Sequence, residues 1–306
     1  MRPAWSIIFF TSISGLGLGL AGWIVLGLVP LMSAFQIAVV GIFTLVPIGA
    51  GLISSTFHLG HPERAWRALS QWRSSWLSRE GVLAGLVMAG LAGWFAAGYF
   101  ARPVPIWANL ALLVLIYATV YATAMIYASL KTVARWHHPL TPICYLMFAA
   151  AGGLLAVLAV IVALGQTVSP ALAQAGIVLL ISAWGVKVAW WRLAGTASSN
   201  ASIESATGLY DIGKVRPLMP PHTSENYLQH EMGFVVARRH ADKLRAIAVG
   251  LGGLLPVLLI IVAPTSIIGL GAAVLAHIAG VFVERWLFFA EAKHTVMLYY
   301  GDGSQV

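Results

Sequence analysis

Eight apolar runs decide what this chain can fold into. They lie at about 6–28, 34–57, 81–101, 107–130, 141–164, 170–192, 244–263 and 266–289. About 20 apolar residues in helical form cross a hydrocarbon core of about 30 Å. In lipid every backbone polar group must be satisfied internally, which leaves helices or a closed barrel. The runs are continuously apolar rather than alternating, which argues against barrel strands. The expected fold is therefore all-α: a polytopic membrane protein of eight transmembrane helices, read as a single integral-membrane domain over 1–306. Only 9% of the residues are charged, against roughly 25% in a soluble domain.

The first run is too long for the h-region of a secretory signal, about 7–15 residues. Only Arg2 precedes it and no small-x-small cleavage site follows. It reads as the first span. The net charge of +8 is what basic inner loops give a membrane protein, so it does not call for nucleic acid. Of the 18 Lys and Arg, only Arg102 falls in a connection on the side opposite the N-terminus. The positive-inside rule then places both termini, and the 58–80 stretch, in the cytoplasm.

Small residues four apart, Gly15/Gly19 and Gly85/Ala89/Gly93, predict close helix packing. Lys187 and Arg192 in the sixth span, and Glu284 and Arg285 in the eighth, lie near the cytoplasmic ends, where long stems snorkel to water. His277 is the one histidine at mid-depth. A bis-histidine haem needs a second on a facing helix, so no haem is expected. The absence of mid-membrane charge and of paired repeats also disfavours an ion-coupled transporter. A single cysteine, Cys144, excludes an internal disulfide and any cysteine-ligated cluster in this chain.

One long polar connection, 193–243, begins rich in Ser, Thr and Asn. After Pro220-Pro221-His222, the Thr223-Ser224-Glu225 start and the spacing of Leu228, Met232, Val235 and Val236 predict an amphipathic cytoplasmic helix. Such a helix lies on lipid or docks a partner.

The remaining polar island is 57–80, which packs two His, two Glu, four Arg and three Trp between the second and third runs. Trp and Arg belong at an interface in any case. Glu80 reads equally as an acid in the first turn of span three behind a Ser78 cap, or as a chemical group. The chemistry these residues allow is that of a quinone headgroup site. Quinone reduction moves two protons with two electrons, and His58 and a partly desolvated Glu80 are the natural proton partners. His61, Arg64, Trp76, Arg79 and Arg285 complete the expected site, with Arg79, Arg64 or Arg285 holding the carboxylate ionised.

The run His58-Leu59-Gly60-x-Pro62-x-Arg64-Ala65, followed by Ser75-x-Leu77-Ser78-x-Glu80, resembles the membrane-anchor subunit of dimethyl sulfoxide reductases. Glu284-Arg285-x-Leu287-Phe288-Phe289 with His294-Thr295-Val296 is similar to that family's last helix. The resemblance implies a three-chain complex: a molybdenum catalytic subunit, an iron–sulfur subunit, and this anchor exchanging electrons with ubiquinone or menaquinone. It also implies that His58 and Glu80 bind quinol. The segment from Pro221-His222 through Glu231-Met232-Gly233-Phe234 to Lys243-Leu244-Arg245 is similar to the anchor of cytoplasmic sulfite dehydrogenases (quinone). With the basic residues on the side of His58, the resemblance implies partner subunits on the cytoplasmic face and electrons flowing from sulfite to quinone. The same architecture run in reverse, oxidising quinol for a reductase, stays open, as does a stand-alone transporter.

Overall fold

The computed structural model describes residues 3–57, 61–195, 202–215, 218 and 240–300. Among them are helices and no strand, and eight of the helices are long and apolar enough to span a membrane: α1 (Trp5–Val25), α2 (Ala34–Thr56), α3 (Trp76–Tyr99), α4 (Ile106–Ala128), α5 (Leu140–Ala163), α6 (Pro170–Gly195), α7 (Ala241–Val262) and α8 (Ile267–Ala290). The bounds follow the apolar runs closely, with one consequential shift. α3 begins at Trp76 and not at 81, because the Ser75 side chain accepts from the Ser78 N–H and caps the helix there. Ser78, expected as the cap, is a buried residue inside the first turn. Ser33 and Ser266 cap α2 and α8 in the same way. At the opposite end, Gly27 and Gly165 take positive φ just beyond α1 and α5, where an L side chain is disfavoured.

α1 and α5 form the centre of the bundle and are mostly buried, while α2, α3, α6 and α7 turn most of their surface outward. The reason is local. A Cβ on Gly19 would sit 1.7 Å from the Ala149 carbonyl oxygen, and one on Gly153 would sit 2.2 Å from the Gly19 carbonyl carbon. The two backbones therefore touch, as small residues permit in lipid. The Trp23 indole N–H donates to the Ala150 carbonyl at 2.8 Å and ties the same pair. α7 and α8 make a second such contact, where a Cβ on Gly280 would lie 2.3 Å from Gly252. The expectation for the small residues is thus met at Gly19 alone. Nothing lies within 4 Å of a Cβ on Gly15, Gly85 or Gly93, so those positions set no close approach within the chain. Gly19→Leu should abolish assembly of the chain into membranes, since overpacking already costs about 1–3 kcal/mol without a backbone clash. Gly15→Ala should be silent. Fluorescence-detected chromatography of tagged protein distinguishes the two.

Two turns within the described spans depart from α geometry, and both place buried residues in the interior. Phe10–Ser14 in α1 and Gly250–Leu254 in α7 are π-helical, a distortion that often marks functional positions. The first carries Thr11, Ser12 and Ser14, all buried in an otherwise apolar helix. The second frees the Gly252 carbonyl, which accepts from His277 Nδ1 at 2.6 Å. His277 is thereby held as structure.

The polar island between α2 and α3 becomes a 3-10 segment, Pro62–Gln71, at the bundle end that carries the N-terminus. Arg67 and Arg73 lie near the rings of the exposed Trp66 and Trp72. The amphipathic helix expected at 223–236 lies outside the described residues.

Candidate functional site

Glu80 is the fifth residue of α3, one turn inside the helix, and only 5% exposed. No acid occupies the first turn of α3, so the reading of Glu80 as a terminal acid favoured by the helix dipole does not hold. What meets it is α4: the Thr123 hydroxyl donates to Glu80 Oε1 and also lies 3.1 Å from the Thr119 carbonyl oxygen. No described cation lies within ion-pair distance of the carboxyl. Glu80 lines a small hollow with Ser14, Leu18, Ile48, Leu52, Ala84, Thr119 and Thr123. Its walls come from α1, α2, α3 and α4.

The other residues expected at this site divide into four groups. His58 lies outside the described residues. His61 and Arg64 are exposed, and both turn to Glu63, at 3.0 and 3.7 Å. Arg79 does not face Glu80. Its guanidinium donates to the Trp72 and Arg73 carbonyl oxygens at 3.0 and 2.7 Å and lies 4.3 Å over the Trp76 ring, which meets Tyr121 edge-on. Arg79 therefore ties the incoming turn to α3, and neither it nor Arg64 holds the carboxylate.

Arg285 belongs to a group that sequence reasoning does not find. Lys187 of α6 contacts Glu284 of α8, and Arg285 Nη1 lies 3.0 Å from the other Glu284 oxygen. All three are at most 2% exposed. The expected snorkelling does not occur for these three, whereas Arg192 is exposed. Lys187 sits eight residues inside the end of α6, about 12 Å at the helical rise, and its ammonium packs 3.6 Å over the Trp190 ring. Arg285 stacks 3.6 Å over Tyr145. Ion pairing with desolvated aromatic faces replaces water for these charges. Toward the bundle end, a second group joins Arg135 and Arg245 to Glu291 at 3.2 and 2.6 Å. Trp190 and Trp191 stand between the two groups, each lying near Lys187 and near one of the two arginines. The signal available in the sequence is three charges of mixed sign at similar depth on two spans.

A second hollow adjoins that of Glu80 and shares Ser14, Leu18 and Thr123 with it. Arg285, Tyr145, His277, Thr11 and Ser12 are the other polar residues that line it, among apolar ones such as Phe148 and Val281. The room for water centres is about 30 Å³ here and about 10 Å³ beside Glu80. A buried water needs roughly 10–15 Å³, so these spaces suit one or two waters and not a ring. A buried carboxyl held by a hydroxyl, without a described counter-ion and reached from a polar interior, can exchange a proton, and that is the chemistry the arrangement supports.

The model of the DMSO reductase anchor subunit (DmsC) family matches residues 1–291. The chain belongs to that family. It is also 32% identical to a sulfite dehydrogenase subunit of Allochromatium vinosum, over 98% of this chain and 99% of that protein. The resemblance drawn from the motifs therefore extends to nearly the whole sequence. With the eight apolar helices, membership makes this a multi-pass membrane anchor of an oxidoreductase complex.

Proposed function

We propose that this DmsC-family anchor is the quinone-reactive subunit of a three-chain molybdenum/iron–sulfur oxidoreductase in a bacterial inner membrane. The iron–sulfur and molybdenum subunits sit on the cytoplasmic face, and electrons from sulfite pass through them to ubiquinone or menaquinone. No haem takes part. The observation that carries the reading is Glu80: a buried carboxyl just beneath an interfacial turn, bonded by Thr123 and without a described counter-ion within reach. Quinone reduction needs a proton at each oxygen as the electrons arrive, and such a group exchanges protons where an exposed acid would be fixed by solvent.

The hollows beside Glu80 are too small for a ring, so the headgroup sits at the mouth of the 57–80 turn. Trp76 walls it, His61 and Arg64 form its outer side, and His58 is a further proton partner by its chemistry. Arg79 positions that turn through the Trp72 and Arg73 carbonyls. Glu80 exchanges the proton from one helical turn below. Sulfite as the electron source is supported by the full-length likeness to the Allochromatium vinosum sulfite dehydrogenase subunit and by the basic residues gathered on the side of Glu80.

A second reading, quinol oxidation for a sulfoxide-type reductase, draws on the family model itself. Purification from detergent-solubilised membranes tests both. The expected result is co-purification with molybdenum and iron, and sulfite-dependent quinone reduction. Quinol-dependent sulfoxide reduction without sulfite activity supports the second reading. A chain that purifies alone and metal-free overturns both.

A further inference from the structure

The hollow beside Thr123 is walled by α1, α4, α5 and α8, and it contains more unmet polar groups than a packed interior tolerates. Ser12 Oγ, Tyr145 Oη and Arg285 Nε are buried and have no hydrogen-bond partner among the described residues. All three residues line this one space. An unpaired buried polar atom costs about 1–3 kcal/mol, and three around one cavity are ordinarily satisfied by water. The room, about 30 Å³ for water centres, fits two.

The buried charges point the same way. The Lys187–Glu284–Arg285 group carries two cations and one carboxylate, a net charge of +1 inside the bundle. An uncompensated buried charge is strongly unfavourable. The other described groups facing this space from its four helices are the hydroxyls of Thr11, Ser12, Ser14 and Thr123, the Tyr145 phenol and the His277 imidazole. None of them supplies a negative charge. Glu80 lies behind Thr123, in the adjoining hollow.

We propose that the chamber between α1, α4, α5 and α8 is a site for two buried water molecules, and that through them Arg285 acts as the remote counter-ion of Glu80. The waters take hydrogen bonds from Arg285 Nε, exchange them with Ser12 and Tyr145, and donate to the Thr123 oxygen, whose own O–H is on Glu80. The ionised carboxyl and the +1 group then balance without a direct ion pair. Arg285, Tyr145 and Ser12 are positioning residues in this scheme, and it rests on Glu80 being the proton-exchanging group.

Infrared spectroscopy of the resting complex tests this without any turnover. Exchange into H₂¹⁸O should shift O–H bands of weakly bonded buried water, and Glu80→Gln identifies the carboxyl bands of Glu80. Ser12→Val and Ser12→Thr fill the same space, but only Thr keeps a hydroxyl. Val should remove the water bands and move the Glu80 bands, whereas Thr should retain both. Tyr145→Phe should move the Glu80 bands as Val does. Water bands absent from the parent protein, or Glu80 bands identical in Ser12→Val, Tyr145→Phe and parent, overturn the proposal. Failure of quinone activity in the parent complex overturns the quinone reading alone and leaves these spectra unaffected.

Discussion

Glu80→Gln should slow quinone turnover by about 10²–10⁴-fold, the usual worth of a positioned proton-exchanging group, with the complex still assembled. The amide keeps the shape of the side chain and an oxygen able to accept from the Thr123 hydroxyl. What it loses is the exchangeable proton. Steady-state quinone reduction, set beside the yield and thermal stability of the complex, separates loss of chemistry from loss of structure. Thr123→Val should give a smaller defect, because the carboxyl remains but loses its hydrogen-bond donor. If Glu80→Gln turns over at the parent rate, Glu80 is a structural acid and the proton comes from elsewhere.

The second large effect is on stability. Glu284→Gln leaves Lys187 and Arg285 as two buried cations with no carboxylate between them. Removing one member of a buried ion pair costs about 3–5 kcal/mol, and here the remaining charges also repel. The variant should lose most of its yield in membranes, and thermal unfolding in detergent should fall by many degrees. Adding Lys187→Met should recover part of that loss, because it removes the repulsion and the Met stem still packs on Trp190. A double variant no better than the single would mean that the ion group contributes little and that the aromatic packing around it holds α6 to α8.

The contrast between these two sites explains what the sequence makes legible. Spans can be read because hydrophobic length is a local property, and all eight apolar runs form helices. The end of a helix is also local, yet α3 starts five residues early because Ser75, and not Ser78, supplies the cap. That shift carries Glu80 from the first turn into the second and changes its meaning from a terminal acid to a buried one. Distance from a helix end, the guide applied to Lys187, Glu284 and Arg285, is a rule for single helices facing lipid. Their pairing depends on α6 and α8 facing each other, which no single segment encodes. Thr123, Tyr145 and Ser12 escape notice for the same reason. Each looks like an ordinary polar residue in an apolar helix until the opposing wall is known. Gly15, Gly85 and Gly93 show the converse, a spacing that favours packing where no described atom lies within 4 Å of an added Cβ.

Quinone is proposed to react at the mouth above Glu80. Photo-crosslinking of the purified complex with an azido-quinone, followed by peptide mapping, tests it most directly. Labelling is expected within 57–80 and at the facing end of α4 near Tyr121, suppressed by excess unlabelled quinone. Labelling confined to the opposite end of the bundle, around 100–105 or 164–169, or labelling that excess quinone does not suppress, would contradict it.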